Sequence, residues 1–421
     1  MDQFHLRDGE VHCEGVPLAR IAQAVGTPAY VYSTAAMLGQ VRALREALAP
    51  LPDPLIAFAV KANPNAAVLA TLAAAGLGAD VVSGGEYRRA RAAGIAPETI
   101  VFSGVGKTEA EIRLALEGGL FQFNLESEPE AEMLSAAAAE MGATAPVGFR
   151  INPDVEAGSH AKISTGAAHN KFGIPIADAL AAYARAGALP GLRVQGIAVH
   201  IGSQLTRLAP LEAAFAKIGG LIRELRAAGH DMKTADLGGG LGIAYDPAAP
   251  PPPSPADYGA MVRRVAGKWD VRLIFEPGRL IVGNAGVLLT RVIRIKPGSP
   301  CPFVIVDAAM NDLMRPTLYD AWHGIEPVAQ SNQTMVADVV GPVCETGDTF
   351  ARGRTMGRVA EGDLMIIRTS GAYAATMAST YNSRPLPPEV MVDGEDWAVV
   401  RERQALDDLI RLDKLPPWLE R

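Results

Sequence analysis

The chain has 421 residues and a formal net charge of −7 at pH 7. A chain of this length holds about two or three domains, because single hydrophobic cores rarely grow beyond ~300 residues. The negative charge argues against a surface for nucleic acid or anionic membrane.

The three cysteines, Cys13, Cys301 and Cys344, form no CxxC pair. We therefore expect no disulfide framework and no metal site, and a cytoplasmic location. The N-terminus lacks the pattern of a signal peptide.

The leading segment mixes helix and strand signals. Within residues 1–27, the apolar spacing predicts a helix at Leu18–Val25. Residues 28–33 are typical of a strand, and the segment after them has the spacing of an amphipathic helix, capped by Ser33 or Thr34.

From Leu55 onwards, short apolar strands alternate with alanine-rich helices. Eight strands are predicted, near residues 55–60, 79–83, 99–103, 121–125, 147–151, 196–202, 234–238 and 271–275. Helices are predicted in most of the gaps between these strands, for example at 66–76, 85–93, 108–118, 127–141, 176–187 and 209–228. This alternation indicates βαβ units and a parallel sheet. Eight such units close a (β/α)8 barrel of the TIM type, although a doubly wound open sheet alternates in the same way.

The positions of the unusual residues favour the barrel. They lie just past predicted strands, at Lys61, 83–85, 200–203, 238–240 and 276–279. Residues with a purely structural role would not be expected to concentrate at one end of every βα unit. Active sites of such barrels, in contrast, lie at the C-terminal ends of the strands.

A proline-dense segment at 247–255 is typical of a rigid surface loop. The alternation of strands and helices ends after about residue 285. The later chain has β-rich runs separated by Gly, Pro and Asp, which predict an all-β domain, a sandwich or small open barrel. A short helix is predicted at 404–412. We expect a barrel domain at 28–285 and a β-rich domain at 286–421, to which 1–27 contributes.

Lys61 ends a buried strand and is followed by Asn63-Pro64, which stops the ladder. A lysine with a desolvated stem loses proton affinity and can act as an amine nucleophile towards a carbonyl. On this segment alone, a solvated lysine at a strand end is the preferred interpretation, and the other segments reverse that preference.

Three further groups combine with the lysine. The glycine-rich turn at 236–242 and the pair Gly202-Ser203 can bind an anion such as phosphate through backbone N–H groups and a hydroxyl. His200 is either a satisfied core histidine or a ring that stacks on a planar aromatic ligand. Glu276 either pairs with Arg279 or keeps a ring nitrogen protonated. A Schiff-base lysine, a phosphate cradle, a stacking ring and a carboxylate together describe pyridoxal 5′-phosphate chemistry.

The motifs then show a family resemblance. Residues 58–63, 200–204, 236–242 and 276–279 resemble signature motifs of the alanine-racemase-type (fold type III) amino-acid decarboxylases. Residues 314–323, 341–348, 370–373 and 381–385 resemble those of the diaminopimelate decarboxylase family, in the family's order and over nearly the whole chain. The resemblance implies pyridoxal phosphate-dependent conversion of meso-2,6-diaminopimelate to L-lysine and CO2, the last step of lysine biosynthesis.

The resemblance also implies residue roles. Lys61 would bind the cofactor covalently, and His200 would stack on its ring. The phosphate and the pyridine nitrogen would be held by Ser203, Gly239, Gly240, Glu276, Pro277, Gly278 and Arg279, with Tyr373 also in contact. The distal end of the substrate would be bound by Arg279, Arg315, Tyr319, Glu345 and Tyr373. Cys344 would donate the proton, in a head-to-tail homodimer whose subunits share active sites. Two stretches depart from the family pattern, Thr346-Gly347 and the loop at 167–171.

Charge matching favours this substrate over close alternatives. Diaminopimelate has a distal carboxylate and a distal ammonium, which Arg279, Arg315 and Glu345 can bind. A decarboxylase of ornithine, arginine or carboxynorspermidine on the same fold would leave Arg315 without this partner. A racemase would not need Cys344 and Glu345. A non-catalytic regulatory homologue would be expected to have lost Lys61 or Cys344.

Overall fold

The computed structural model describes residues 3–156 and 171–419. It divides into two compact units, Leu38–Ile281 and a second that combines Met1–Met37 with Val282–Arg421. Within the described ranges, no helix is both long enough and apolar enough to cross a membrane.

The first unit is a closed barrel of eight parallel strands. In chain order these are β1 (Leu55–Ala59), β2 (Gly78–Val81), β3 (Ile100–Phe102), β4 (Gln122–Leu125), β5 (Ala145–Asn152), β6 (Leu192–Ala198), β7 (Thr234–Asp236) and β8 (Arg272–Phe275). Each strand pairs with the next, and β8 closes the ring by pairing with β1, with Ile274 opposite Leu55. The predicted (β/α)8 barrel is thus confirmed. A two-residue strand, Ile174–Pro175, extends the sheet beside β5.

Helices follow the barrel strands, and their starts have clear sequence causes. They span Ala66–Ala74, Gly84–Ala92, Glu109–Gly118, Glu128–Glu140, Ala179–Gly187, Ala209–Ala227 and Pro255–Ala266. Several begin where a side-chain oxygen accepts a hydrogen bond from a first-turn N–H group, as at Asn65, Ser83 and Ser127. Such caps fix where each loop above the strands ends.

The helix Pro255–Ala266 was not predicted from the sequence. The prolines before it obscured its start, yet Pro255 occupies the first turn, where a missing N–H group costs nothing. Ser254 and Asp257 form a reciprocal capping box. The helix therefore begins directly at the end of the proline-dense loop.

The second unit is built on a nine-stranded sheet. Its strands are Ala29–Ser33, Gly286–Lys296, Phe303–Val306, Ile325–Pro327, Thr334–Val340, Thr349–Gly357, Leu364–Ile367, Glu389–Asp393 and Asp396–Arg401. A three-stranded sheet, made of Phe4–Arg7, Glu10–Cys13 and Val16–Pro17, precedes helix Leu18–Val25. Apolar residues from both sheets and this helix form one core. The short helical segments of this unit include Arg315–Tyr319 and the 3-10 turn Leu406–Leu409, where a longer helix was expected.

The strand Ala29–Ser33 lies outside the barrel, although the expected barrel domain began at residue 28. All five of its residues are buried. It pairs antiparallel with Gly286–Lys296 and parallel with Glu389–Asp393. Because its hydrogen-bonding partners come from the second half of the chain, this strand belongs to the second unit, and the first division falls between Met37 and Leu38.

Candidate active site

Lys61 lies in a single 3-10 turn at the C-terminal end of β1. Its Nζ is 2.7 Å from Oδ2 of Asp80, which is fully buried on the neighbouring strand β2. The other oxygen of that carboxylate, Oδ1, is buried without a hydrogen-bond partner. The side chain of Lys61 is 38% exposed. The amine is thus fixed by a buried charge while part of the side chain stays accessible.

Glu276 follows β8 and belongs to a group of buried carboxylates. Its Oε1 accepts a hydrogen bond from Ser103 Oγ at 3.2 Å. Burial raises the pKa of Glu276 well above its usual value, and the negative charges of Asp236 and Asp80 add to the effect. The carboxyl group of Glu276 therefore binds a proton more tightly than an exposed glutamate does.

Asp236 is the second member of this group. Burial raises its pKa to about 6. Its two oxygens accept hydrogen bonds from Gly238 N at 2.9 Å and from Asn124 Nδ2 at 2.8 Å. Asn124 also donates to Ser103, so strands β3, β4 and β7 share one polar network.

His200 follows β6 and is held through both its backbone and its ring. Nδ1 of the ring accepts a hydrogen bond from Gly239 N at 3.3 Å, and the backbone carbonyl accepts one from Arg150 Nη2 at 3.2 Å. Burial lowers the pKa of the imidazole well below its usual value, and the charges of Arg150 and Lys61 lower it further. The ring is therefore neutral at pH 7.

The turn after β7 needs its glycines. Gly238 and Gly240 have φ values of 65° and 98°, a region that L side chains rarely adopt. A Cβ on Gly239 would lie 2.1 Å from Glu276 O, and a Cβ on Gly240 would lie 2.2 Å from Gly202 O. Only glycine allows the backbones after β6, β7 and β8 to approach so closely.

Arg279 joins two of these loops. Its guanidinium is buried and donates hydrogen bonds to Ser203 Oγ at 3.2 Å and to Tyr245 Oη at 2.5 Å. The preceding Pro277 accepts a hydrogen bond from Ala59 N at 3.1 Å through its carbonyl, so the turn of Pro277 and Gly278 is tied to the end of β1. The predicted residues of the barrel therefore all lie at the C-terminal ends of its strands.

In the second unit, Arg315 opens the short helix Arg315–Tyr319, and both Arg315 and the nearby His323 are buried. Nη1 of Arg315 is 2.9 Å from Nε2 of His323. Thr317 Oγ1 donates a hydrogen bond to Gly347 O at 2.7 Å, which ties this helix to the loop of the predicted proton donor. Tyr319 is the last residue of the helix.

Cys344 and Glu345 are exposed on the loop between Thr334–Val340 and Thr349–Gly357. Asp348 shapes this loop, because its carboxylate accepts hydrogen bonds from Val343 N at 2.7 Å and Met310 N at 2.6 Å. A hydrogen bond to Glu345 raises the pKa of the Tyr381 hydroxyl, so these two side chains lie together.

Tyr373 has a φ of 54°. A bulky residue rarely adopts this left-handed conformation, and such outliers concentrate at functional sites. This backbone conformation supports the predicted place of Tyr373 in the site.

Several residues of the site were missed in the sequence. Asp80 had a signal, since a carboxylate within an apolar strand next to the strand of Lys61 needs a partner. Ser103 and Asn124 had none, because their role depends on which strand ends meet inside the barrel. His323 and Asp348 ended recognised motifs but were assigned no role. Of the two stretches that depart from the family pattern, residues 167–170 lie outside the described residues.

Comparison with known proteins agrees with the geometry. A family described as "Pyridoxal-dependent decarboxylase, pyridoxal binding domain" matches residues 37–283, a range that includes the whole barrel unit. Fold and site thus define a pyridoxal-dependent decarboxylase. The diaminopimelate decarboxylase of Zymomonas mobilis subsp. mobilis is 56% identical over 421 residues, all of both chains. The chain belongs to the diaminopimelate decarboxylase family.

Among the similar solved structures, two match nearly the full length of the chain. Diaminopimelate decarboxylase from M. jannaschii, in co-complex with L-lysine, is 36% identical, with a TM-score of 0.95 and coverage of 99% of each chain. The enzyme from Helicobacter pylori complexed with L-lysine is 39% identical, with a TM-score of 0.90, and the match covers 94% of this chain and 98% of that one.

The barrel residues suit pyridoxal phosphate, the cofactor that the family uses. The cofactor has an aldehyde, a basic ring nitrogen and a phosphate. The barrel offers an amine at Lys61, a buried carboxyl at Glu276 and a glycine turn beside Ser203 and Arg279. The buried Oδ1 of Asp80 also has spare capacity to accept a hydrogen bond. The donors and acceptors present therefore match the groups of the cofactor.

Proposed function

We propose that this protein decarboxylates meso-2,6-diaminopimelate to L-lysine and CO2 with pyridoxal 5′-phosphate, the last step of lysine biosynthesis. The observation that carries the proposal is the convergence of a lysine amine, a proton-binding carboxyl and a glycine turn at one end of the barrel. Full-length identity to an enzyme named for this substrate supports the choice of amino acid.

The barrel residues have distinct tasks in this proposal. Lys61 binds the cofactor, His200 packs on its ring, and Glu276 faces the ring nitrogen. The loops of Ser203, Gly239, Gly240 and Pro277–Arg279 hold the phosphate and the edge of the ring. When bound, the cofactor accepts the electron pair released as CO2 leaves. The proton affinity of Glu276 keeps a proton close to the ring nitrogen, which makes that acceptance possible.

Substrate selection falls to charged residues. Arg279 and Arg315 bind the distal carboxylate with planar, bidentate forks. Glu345 binds the distal ammonium, and Tyr319 and Tyr373 contact the rest of the distal end of the substrate. Substrates without a distal carboxylate leave a buried guanidinium without its ligand, which is costly. This is why ornithine should be a poor substrate.

The thiol of Cys344 returns a proton to the carbon that has lost CO2. The loop of Cys344 is exposed, so a ligand or a second subunit can reach it. We propose that the protein acts as a homodimer in the cytoplasm, with each Cys344 loop completing the site of the partner subunit. The family resemblance supports this arrangement.

The test is a direct assay of the purified holoenzyme. CO2 and L-lysine should appear in equal amounts from meso-diaminopimelate, while ornithine at the same concentration should release no CO2 above background. Lys61→Ala should lose both turnover and the cofactor fixed to the protein by borohydride. Decarboxylation of ornithine at a comparable kcat/KM would overturn the proposed substrate.

A further inference from the structure

His323 makes two hydrogen bonds that differ in kind. Its Nδ1 is 2.8 Å from the backbone oxygen of Arg368, and its Nε2 is 2.9 Å from Nη1 of Arg315. The ring is fully buried, and Arg315 is 6% exposed. Both ring nitrogens are therefore committed to protein groups in the interior of the second unit.

The chemistry of the two partners decides where the ring proton lies. A backbone carbonyl can only accept a hydrogen bond, so Nδ1 must carry the proton. A guanidinium can only donate, so Nε2 must offer its lone pair. The pair thus requires a neutral histidine in a single tautomer, with its lone pair aimed at Arg315.

We propose that His323 is a positioning residue that aims the Arg315 guanidinium at the distal carboxylate of the substrate. This rests on the proposed function, in which Arg315 binds that carboxylate. A bidentate fork needs a fixed plane, and one N–H group held by a buried acceptor fixes both the plane and the direction of the others. His323 itself does not touch the substrate in this proposal.

The surroundings of His323 make it a rigid support. Arg354 donates a hydrogen bond to His323 O at 2.8 Å, and its guanidinium lies 4.2 Å from the centre of the Trp322 ring. The next residue, Gly324, accepts a hydrogen bond from Arg368 N through its carbonyl at 2.8 Å. Backbone and ring are thus both fixed, as a support for a binding residue requires.

The alternative is that His323 only fills the core and satisfies the Arg368 carbonyl. Two amide variants separate these roles. His323→Asn can place an N–H group near the Nδ1 position and keep the bond to the carbonyl, but it lacks reach towards Arg315. His323→Gln can place its amide oxygen near the Nε2 position and keep an acceptor for Arg315. A structural role favours Asn, and a positioning role favours Gln.

The experiment measures binding and kinetics of the holoenzyme variants. Dissociation constants for L-lysine, which retains the distal carboxylate, are compared with those for cadaverine, which lacks it. His323→Asn should weaken L-lysine binding about tenfold, the effect of one hydrogen bond to a charged group. Cadaverine binding should stay unchanged, KM for diaminopimelate should rise, and kcat should change little. His323→Gln should restore most of the L-lysine affinity.

Arg315→Met and the double variant separate failure of this inference from failure of the proposed function. If Arg315→Met leaves L-lysine binding intact, the proposed role of Arg315 is wrong. If Arg315→Met weakens binding but both His323 variants bind L-lysine as the wild type does, the positioning role is wrong. Equal losses for L-lysine and cadaverine would also refute it. With Arg315→Met present, His323→Asn should have no further effect, because the two residues act through one contact.

Discussion

Glu276 shares the barrel interior with two other buried carboxylates, which defines its chemistry. Asp236 and Asp80 raise its pKa together with burial. We expect Glu276→Gln to retain bound cofactor but to lower kcat by about a hundredfold or more, because an amide cannot supply a proton to the ring nitrogen. Turnover and the visible absorbance of the bound cofactor measure the two effects. Ser103→Ala, which removes the hydrogen bond to the carboxyl and the acceptor for Asn124 but leaves the carboxyl itself in place, is the control and should retain most turnover. Wild-type turnover in Glu276→Gln would exclude the role.

The raised pKa of Asp312, in the second unit, predicts that the free energy of unfolding depends on pH. Burial raises its pKa to about 6, while hydrogen bonding to Ala309 N and the charge of Arg384 oppose the shift. A carboxyl whose folded pKa is raised stabilises the fold below its unfolded pKa and loses that contribution as the pH rises through about 6. The free energy of unfolding of the wild type minus that of Asp312→Asn should therefore fall between about pH 4 and pH 7, by at most about 3 kcal/mol.

A second variant checks the sign of this effect. Hydrogen bonds from Ser254 lower the pKa of Asp257, so its contribution to stability is lost as the pH falls. The same difference measured for Asp257→Asn should therefore rise with pH. Chemical unfolding of the cofactor-free protein at several pH values measures both. A difference for Asp312→Asn that is constant or rises with pH would contradict the prediction.

Individual site residues could be predicted from the sequence where the residues next to them in the chain form a recognisable pattern. Lys61, His200 and Glu276 each end an apolar run, so their types and positions were informative without a structure. Asn124 gained its role only because barrel closure brings it to Asp236. His323 likewise depends on a carbonyl 45 residues away, which no local pattern could indicate.

Among the elements, the loops after β3 and β4 are joined by a buried ion pair. Nζ of Lys107 donates hydrogen bonds to Glu130 at 2.6 Å, to Asn124 O at 2.7 Å and to Gly104 O at 2.8 Å. Oε2 of Glu130 accepts a hydrogen bond from Glu126 N at 2.8 Å. The pair therefore fixes both loops at the end of the barrel that carries the site.

Removing one partner of this pair should be more damaging than removing both. Lys107→Met leaves a buried carboxylate uncompensated, and we expect a loss of about 3–5 kcal/mol in the free energy of unfolding. The double variant Lys107→Met/Glu130→Leu should recover most of that loss, since no isolated charge remains. Unfolding in urea measures all three proteins.

An exposed pair provides the control for this prediction. Arg113 bonds to Glu109 one helical turn away, with both side chains in contact with solvent. Arg113→Ala should change the free energy of unfolding little, because water screens such pairs. If Lys107→Met were as mild as Arg113→Ala, the buried pair would not hold the loops.

Helices and strands could be predicted where the apolar periodicity is regular. They were harder to predict where a strand pairs with strands that are distant in the sequence. All eight barrel strands follow from short apolar runs between helices. The placement of Ala29–Ser33 did not follow, because its partners are more than 250 residues later in the sequence. The strand Thr349–Gly357 was also missed, since its Gly and Arg residues interrupt the β pattern.

For the molecule as a whole, the central question is which chains build one active site. Lys61 belongs to the barrel unit, whereas Cys344 and Glu345 belong to the second unit. In an isologous dimer both subunits contribute the same surface to the interface. A site shared between the subunits therefore occurs in two equivalent copies. The proposed homodimer therefore makes a prediction that no site built within a single chain would share.

Subunit mixing tests this arrangement. Lys61→Ala and Cys344→Ala dimers should each be inactive, because every site lacks one essential group. After subunit exchange, one site of a mixed dimer carries both substitutions and the other carries neither. Random pairing makes half of the dimers mixed, so about a quarter of all sites should be intact. Decarboxylation of diaminopimelate should return to about a quarter of the wild-type rate. Tagged subunits must confirm that exchange took place, and Lys61→Ala mixed with its own double variant Lys61→Ala/Cys344→Ala must stay inactive. No recovery after verified exchange would mean that Lys61 and Cys344 of the same chain act together.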